Sequence, residues 1–129
     1  MAKTTDTMPL EVNHPAAAFG NPVAAGANIH RGALVALDAQ GNAIPAAPAS
    51  PVLRGIALVA ADNTGGLAGA ITVETRRGTF VLKNNGTLTR AHIGKPAYVV
   101  DDETVGAAGT LVAGKCLDIL PGGVAVEIV

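Results

Sequence analysis

Aromatic residues are almost absent from this chain. They make up 2% of its 129 residues, namely Phe19, Phe80 and Tyr98, and there is no tryptophan. The hydrophobic fraction is nevertheless 49%, and it consists mainly of alanine, valine, leucine and isoleucine. Such side chains pack a thin β layer well but give few large anchors for a ligand pocket. The composition therefore argues against small-molecule chemistry, and we expect no cofactor.

The chain also has no large excess of positive or negative charge and no pair of cysteines. Nine basic residues stand against ten acidic ones, and the longest basic run is Arg76-Arg77. Nucleic-acid binding needs a basic stripe that displaces counterions, so we expect no nucleic-acid partner. Cys116 is the single cysteine, which excludes an internal disulfide, and the three histidines follow no metal-site spacing. We therefore expect no metal.

Long apolar runs are missing as well. The opening residues contain no apolar leader segment, and no run approaches the length needed to span a bilayer. We expect a protein that is made in the cytoplasm and has no membrane partner.

The few candidate chemical groups have simpler structural interpretations. Cys116 falls within a predicted strand, where a lone cysteine is usually a small buried apolar residue. Asp101-Asp102-Glu103 could attract a divalent cation, but adjacent carboxylates at a strand end favour a solvated turn. Arg76-Arg77-Gly78 is typical of a hairpin turn, with an acidic partner as the alternative, and His92 suits a surface or interface. Because no nucleophile has an orienting base, we expect no catalytic residues and no enzyme.

The chain divides into an arm and a β-rich body. Residues 1–28 contain Pro9, Pro15 and Pro22 without a sustained period, which predicts an extended N-terminal arm. Residues 29–129 alternate short aliphatic runs with turn residues, which predicts an all-β fold with a small β-barrel body. The predicted strands are 33–37, 43–46, 53–60, 70–76, 79–83, 97–101, 114–120 and 124–129. A single helical turn is predicted within 87–94, capped by Thr87 or Thr89.

An internal similarity indicates two related β units. Residues 29–38 align with residues 93–102 at an offset of 64, and both segments are followed by a glycine-led strand and then by an alternating strand. The alternating strands read ITVET and VAVEI. We therefore predict an internal duplication that covers residues 29–75 and 93–129.

These segments, in this order and spacing, resemble a known family. The segments are Gly32 to Val35, Arg54 to Ala60, Ile71 to Thr75 with Gly78 to Leu82, Ala97 to Asp102, and Gly114 to Leu117 with Val124 to Val129. Together they resemble the small capsid decoration, or cement, proteins of tailed bacteriophages, which include the lambda-like head decoration proteins and their relatives. The resemblance implies a β-barrel or "tulip" body that forms homotrimers on the outer surface of the virion capsid. It also implies that the protein is made in the host cytoplasm and that its arm becomes ordered on the major capsid protein.

The arm is more apolar than a simple linker, which favours docking on a partner. We expect Met8, Leu10, Val12, His14 and Phe19 to contact the major capsid protein or a neighbouring copy. Two other functions compete with capsid stabilisation. One is a β-barrel accessory subunit of an enzyme, and the other is a receptor-binding or tail-fibre module.

Overall fold

The structure of the protein, a computed structural model, describes Thr5 and residues 18–129. The described part is all-β, as predicted, with one short 3-10 turn at Arg90–His92. The strands are β1 (Ala18–Pro22), β2 (Asn28–Ile29), β3 (Leu34–Leu37), β4 (Ala43–Pro45), β5 (Val52–Ala57), β6 (Ala61–Asp62), β7 (Thr72–Arg76), β8 (Gly78–Asn84), β9 (Pro96–Val99), β10 (Thr104–Gly106), β11 (Val112–Leu120) and β12 (Gly123–Ile128). All eight predicted strands are present, and β1, β2, β6 and β10 are additional.

The predicted barrel is formed by the second half of the chain. Its strands close in the order β10-β8-β12-β11-β9. All neighbours are antiparallel except β10 and β8, which run parallel and complete the ring. The first half forms a five-stranded sheet in the order β1-β7-β5-β3-β4, and β2 and β6 make a separate two-stranded sheet.

The two halves share one strand order. Each strand of β1-β7-β5-β3-β4 corresponds in sequence order and pairing direction to a strand of β8-β12-β11-β9-β10. The parallel contact that closes the barrel also has a counterpart, because Val23 and Ala43 form a parallel bridge just after β1. The related units therefore span residues 18–76 and 78–128, which is wider than the predicted repeats.

The pairing register corrects the alignment of the two units. In the first unit Ala36 of β3 pairs with Ile44 of β4, and in the second unit Tyr98 of β9 pairs with Gly106 of β10. These two pairs occupy the same place in their units, so Ala36 and Tyr98 are equivalent. Equivalent residues of these strands are thus 62 apart, whereas the sequence similarity placed them 64 apart. A two-residue error leaves the inward and outward faces unchanged, because side chains alternate with a period of two.

The predicted boundary of the arm at residue 28 is wrong. β1 pairs along its full length with β7, and β2 pairs with β6, so residues 18–28 belong to the body and not to an arm. Strand β1 escaped detection because Gly20, Asn21 and Pro22 are residues that strands usually avoid. Its position beside β7 supplies the backbone partners that its composition does not suggest.

Strand β3 is buried on both faces and separates two apolar cores. Leu34 and Ala36 face the core that fills the closed barrel, and Val35 faces the core of the first unit. The larger core includes Leu82, Val99, Val105, Cys116, Val124 and Val126, whereas the smaller one includes Val23, Ile29, Ala43, Ala57 and Val73. A strand that is buried on both faces explains the continuous apolar run from Ala33 to Leu37.

Candidate interaction surface

An apolar groove lies where the starts of β5 and β11 meet the end of the chain. It has a volume of about 360 Å³ and is lined by residues 51–53, residues 111–114 and Val129. Val52 is 50% exposed, Val112 is 45% exposed and Val129 is 84% exposed. Clustered exposed apolar side chains on a small β protein mark an interaction site more often than scattered ones do.

Both walls of the groove are strand edges without a strand partner among the described residues. On one wall, Val52 and Leu53 pair with β3 on one side. On their other side β7 does not pair with them, because the pairing of β5 with β7 starts at Ile56. On the opposite wall, Val112 pairs with β9 on one side. On its other side β12 does not pair with it, because the pairing of β11 with β12 starts at Lys115. The groove therefore combines an apolar surface with strand edges to which an extended peptide segment can add as a further strand.

The walls are equivalent parts of the two units. Gly55 pairs with Val35 of β3, and Gly114 pairs with Ala97 of β9. In each unit the residue after the glycine, Ile56 or Lys115, is the first that pairs with β7 or β12. A Cβ on Gly55 would lie 2.7 Å from the carbonyl oxygen of Arg76, and one on Gly114 would collide with the carbonyl oxygen of Glu127. These glycines allow the neighbouring strand to end against the groove wall.

An ordered arginine borders the same end of the body. The guanidinium of Arg54 lies 4.3 Å from the centre of the Phe19 ring, which is a cation–π contact. The Arg54 Nε donates a 2.7 Å hydrogen bond to the Oδ1 of buried Asn21, whose Nδ2 donates to the Thr75 Oγ1 at 3.0 Å. These contacts hold the Arg54 side chain in place.

The pair Arg76-Arg77 does not form the predicted hairpin turn. Arg76 ends β7 in the first unit, and β8 begins at Gly78 in the other, so the pair connects the two units. The Arg77 Nε donates to the carbonyl oxygen of Arg54 at 3.2 Å. Within the described residues, the ion pairs are Lys83–Glu103 and Arg90–Asp118. The three arginines at this end therefore have no carboxylate at ion-pair distance there.

No family model, curated protein or solved structure matches this chain. The chain's own residues must therefore carry any assignment of function.

Four of the five expected interface residues lie outside the described part of the chain. These are Met8, Leu10, Val12 and His14. The fifth, Phe19, belongs to β1 and is partly buried beneath Arg54. Its position makes it part of the body, where it holds Arg54, rather than part of a free arm.

The acidic cluster forms a turn between β9 and β10. The Asp101 Oδ1 accepts a 2.9 Å hydrogen bond from the backbone N–H of Glu103, and Glu103 pairs with Lys83 on the surface. Desolvation raises the pKa of Asp101, but hydrogen bonds from Glu103 and Thr104 outweigh it and hold the pKa below its usual value. No group of three potential metal ligands occurs within the described residues.

Cys116 and His92 both have structural positions. Cys116 is fully buried in the barrel, and desolvation, followed by the charge of Asp118, raises the pKa of its thiol. A raised pKa keeps the thiol protonated and unreactive at neutral pH. The His92 Nδ1 accepts a 3.0 Å hydrogen bond from the backbone N–H of Thr89 and closes the predicted helical turn. Thr89 is therefore the cap of that turn.

Within the residues that the structure describes, no helix is long and apolar enough to cross a membrane.

The groove is the feature that sequence reasoning missed. Its residues lie in three separate segments, and only the pairing of the strands brings them together. The one signal in the sequence was the apolar pair Ile128-Val129 at its end. Neighbouring residues of a strand face opposite sides, and the structure buries Ile128 and exposes Val129.

Proposed function

We propose that this protein is a capsid decoration protein of a tailed bacteriophage. In this role it binds the major capsid protein on the outer surface of the head, as a homotrimer, and stabilises the shell without catalysis. The observation that carries the proposal is the apolar groove, whose strand edges have no strand partner among the described residues and which lies at the end of the body where β1 begins. This surface suits assembly with extended protein segments, and the segment resemblance described above supplies the class of assembly.

The proposed mechanism is stabilisation by binding. A protein that binds the assembled lattice but not its separated subunits shifts the equilibrium toward the lattice, in proportion to RT ln(1 + [L]/Kd). Many copies, each bridging neighbouring capsid subunits, add these small contributions over the whole shell. The rigid body would place its surfaces at a fixed distance from each other, which bridging requires.

The test is to purify virions and to measure their protein content by quantitative mass spectrometry. We expect hundreds of copies per particle, in a fixed ratio to the major capsid protein. The matched control is a set of particles assembled without this protein, which should rupture at a lower temperature and regain stability when the purified protein is added. Absence of the protein from virions would refute the proposal.

A further inference from the structure

The groove has the shape and backbone edges to hold an extended segment. Its apolar lining continues past Pro96 and Lys115 into an adjoining depression that shares Val112 and Val129. A strand added along β11 would pair with residues 112 and 113, which β12 does not reach. Alternate side chains of such a strand would enter the apolar depression, so its sequence should carry apolar residues at every second position.

The N-terminal residues of the chain itself have this pattern. Met8, Leu10 and Val12 alternate with Pro9 and Glu11. Seventeen residues of the sequence precede β1, and a chain of this length reaches up to roughly 55 Å when extended. That reach exceeds the distance across a small domain, so the segment can extend to a neighbouring molecule.

The position and charge of the groove agree with this occupant. The chain enters the body at Ala18, which pairs with Arg76, and Arg76 pairs in turn with Ile56 of β5, whose start forms one wall. The N-terminal segment therefore leaves each molecule at the end that carries the groove. Arg54, Arg76 and Arg77 lie at that end, whereas in the segment two acidic residues, Asp6 and Glu11, stand against one basic residue, Lys3, so the net charges are complementary.

We infer that Met8 to Val12 of one copy bind as a strand in the groove of a second copy. This inference rests on the proposed function, because it identifies the neighbouring copy as one partner of the arm. Each molecule has one segment and one groove, so the segment of one copy enters the groove of the next in a head-to-tail contact, and such contacts form a ring when the rotation between copies closes. The predicted homotrimer is the ring with three such contacts.

The test is disulfide crosslinking of the full-length protein in a Cys116→Ala background. This background should fold, because Ala57 occupies the equivalent position in the first unit, where it pairs with Thr75 as Cys116 pairs with Val126. Leu10→Cys protein is mixed with affinity-tagged Val112→Cys protein at about 100 µM and oxidised gently. We expect crosslinks between the two chains on non-reducing gels.

The matched control is Glu11→Cys mixed with the same Val112→Cys partner. Because neighbouring residues of a strand face opposite sides, its crosslinking should be at least tenfold weaker. Separately, Val112→Asp should abolish self-association in analytical ultracentrifugation, whereas Val81→Asp, at an exposed site on the barrel wall, should leave it intact.

Three results would overturn the inference. They are equal crosslinking by residues 10 and 11, crosslinks confined to single chains when both cysteines are placed in one molecule, and no crosslinks at all. These measurements involve no capsid. A negative result therefore refutes the exchange of segments and leaves the decoration proposal to the virion experiment.

Discussion

At the scale of single residues, Pro22 explains why one unit is a closed barrel and the other is held by a single bridge. In the second unit, the backbone N–H groups of Lys83 and Asn85 donate to the carbonyl oxygens of Glu103 and Val105. In the first unit, Ala24 is the equivalent of Asn85, and its backbone N–H donates to the carbonyl oxygen of Ala43. The equivalent of Lys83 is Pro22, which has no N–H to donate. The same closure thus loses one hydrogen bond.

We predict that Lys83→Pro weakens the barrel at this closure. The substitution removes the 3.0 Å hydrogen bond to Glu103 and should lower the free energy of unfolding by about 1–2 kcal/mol, measured by chemical denaturation. Lys83→Ala is the matched control, because it removes only the exposed ion pair with Glu103 and should change the free energy of unfolding much less than Lys83→Pro does. Equal effects of the two substitutions would mean that the side chain, not the backbone hydrogen bond, matters here.

Gly114 gives a second prediction at this scale. A Cβ at this position would collide with the carbonyl oxygen of Glu127 and approach Val126, both in the neighbouring strand. Gly114→Ala should therefore lower the free energy of unfolding by at least about 2 kcal/mol. Gly20→Ala is the control, since Gly20 also lies in a strand but a Cβ added there would have no other residue within 4 Å. It should be neutral or stabilising by up to about 1 kcal/mol, because alanine restricts the unfolded chain.

At the scale of elements, strands β1 and β7 carry polar side chains where the second unit is apolar. Asn21 faces Val73 and Phe19 faces Thr75, whereas the second unit has Leu82 opposite Val124 and Phe80 opposite Val126. Leu82 and Val126 therefore occupy the positions of Asn21 and Thr75. The polar pair is satisfied internally and anchors Arg54, which couples it to the end of the body that carries the groove.

We predict that this polar pair is strongly coupled. Asn21→Leu alone leaves the Nε of Arg54 without its acceptor, and should cost about 1–3 kcal/mol of stability. Thr75→Val alone removes one acceptor of the Asn21 Nδ2 and should cost about 1 kcal/mol. The double variant reproduces the apolar pair of the second unit, so its cost should be less than the sum of the two single costs, by about 0.5 kcal/mol or more. Additive costs in a double-mutant cycle would contradict this.

The elements that could be predicted from the sequence are those with a strong local pattern. Strand β12 alternates Val124, Val126 and Ile128 on its inward face, and the structure buries all three. Strand β1 has no such pattern, and β2, β6 and β10 are two or three residues long, too short for any periodicity. The backbone partners of β1, β2 and β6 are distant in sequence, and β10 pairs with the distant β8 as well as with the neighbouring β9, so only the folded arrangement defines these strands. The groove depends on the same long-range pairing and could not be predicted either.

At the scale of the whole molecule, the two units are joined by a shared core and not by a linker. Leu34, Ala36 and Ile56 of the first unit pack into the core of the closed barrel, and the backbone N–H of Leu34 donates to the carbonyl oxygen of Asp102. The Thr110 Oγ1 donates to the carbonyl oxygen of Pro48 across the same junction. We therefore expect the units to unfold together, because residues of the first unit form part of the core of the barrel.

Strand β1, which begins at Ala18, determines where a truncation should separate binding from folding. Deleting residues 2–17 removes Met8, Leu10, Val12 and His14 but leaves β1 intact, so the melting temperature should stay within about 2 °C. Deleting residues 2–22 also removes the strand that pairs with β7, together with Phe19 and buried Asn21, and should lower stability severely. On undecorated capsid particles, the shorter deletion should reduce binding at least tenfold, because the apolar side chains of the arm no longer become buried against a partner. Sedimentation with the particles measures that loss, and circular dichroism on the same sample shows that the body is folded. Undiminished binding by the folded truncated protein would place the whole capsid interface on the β body.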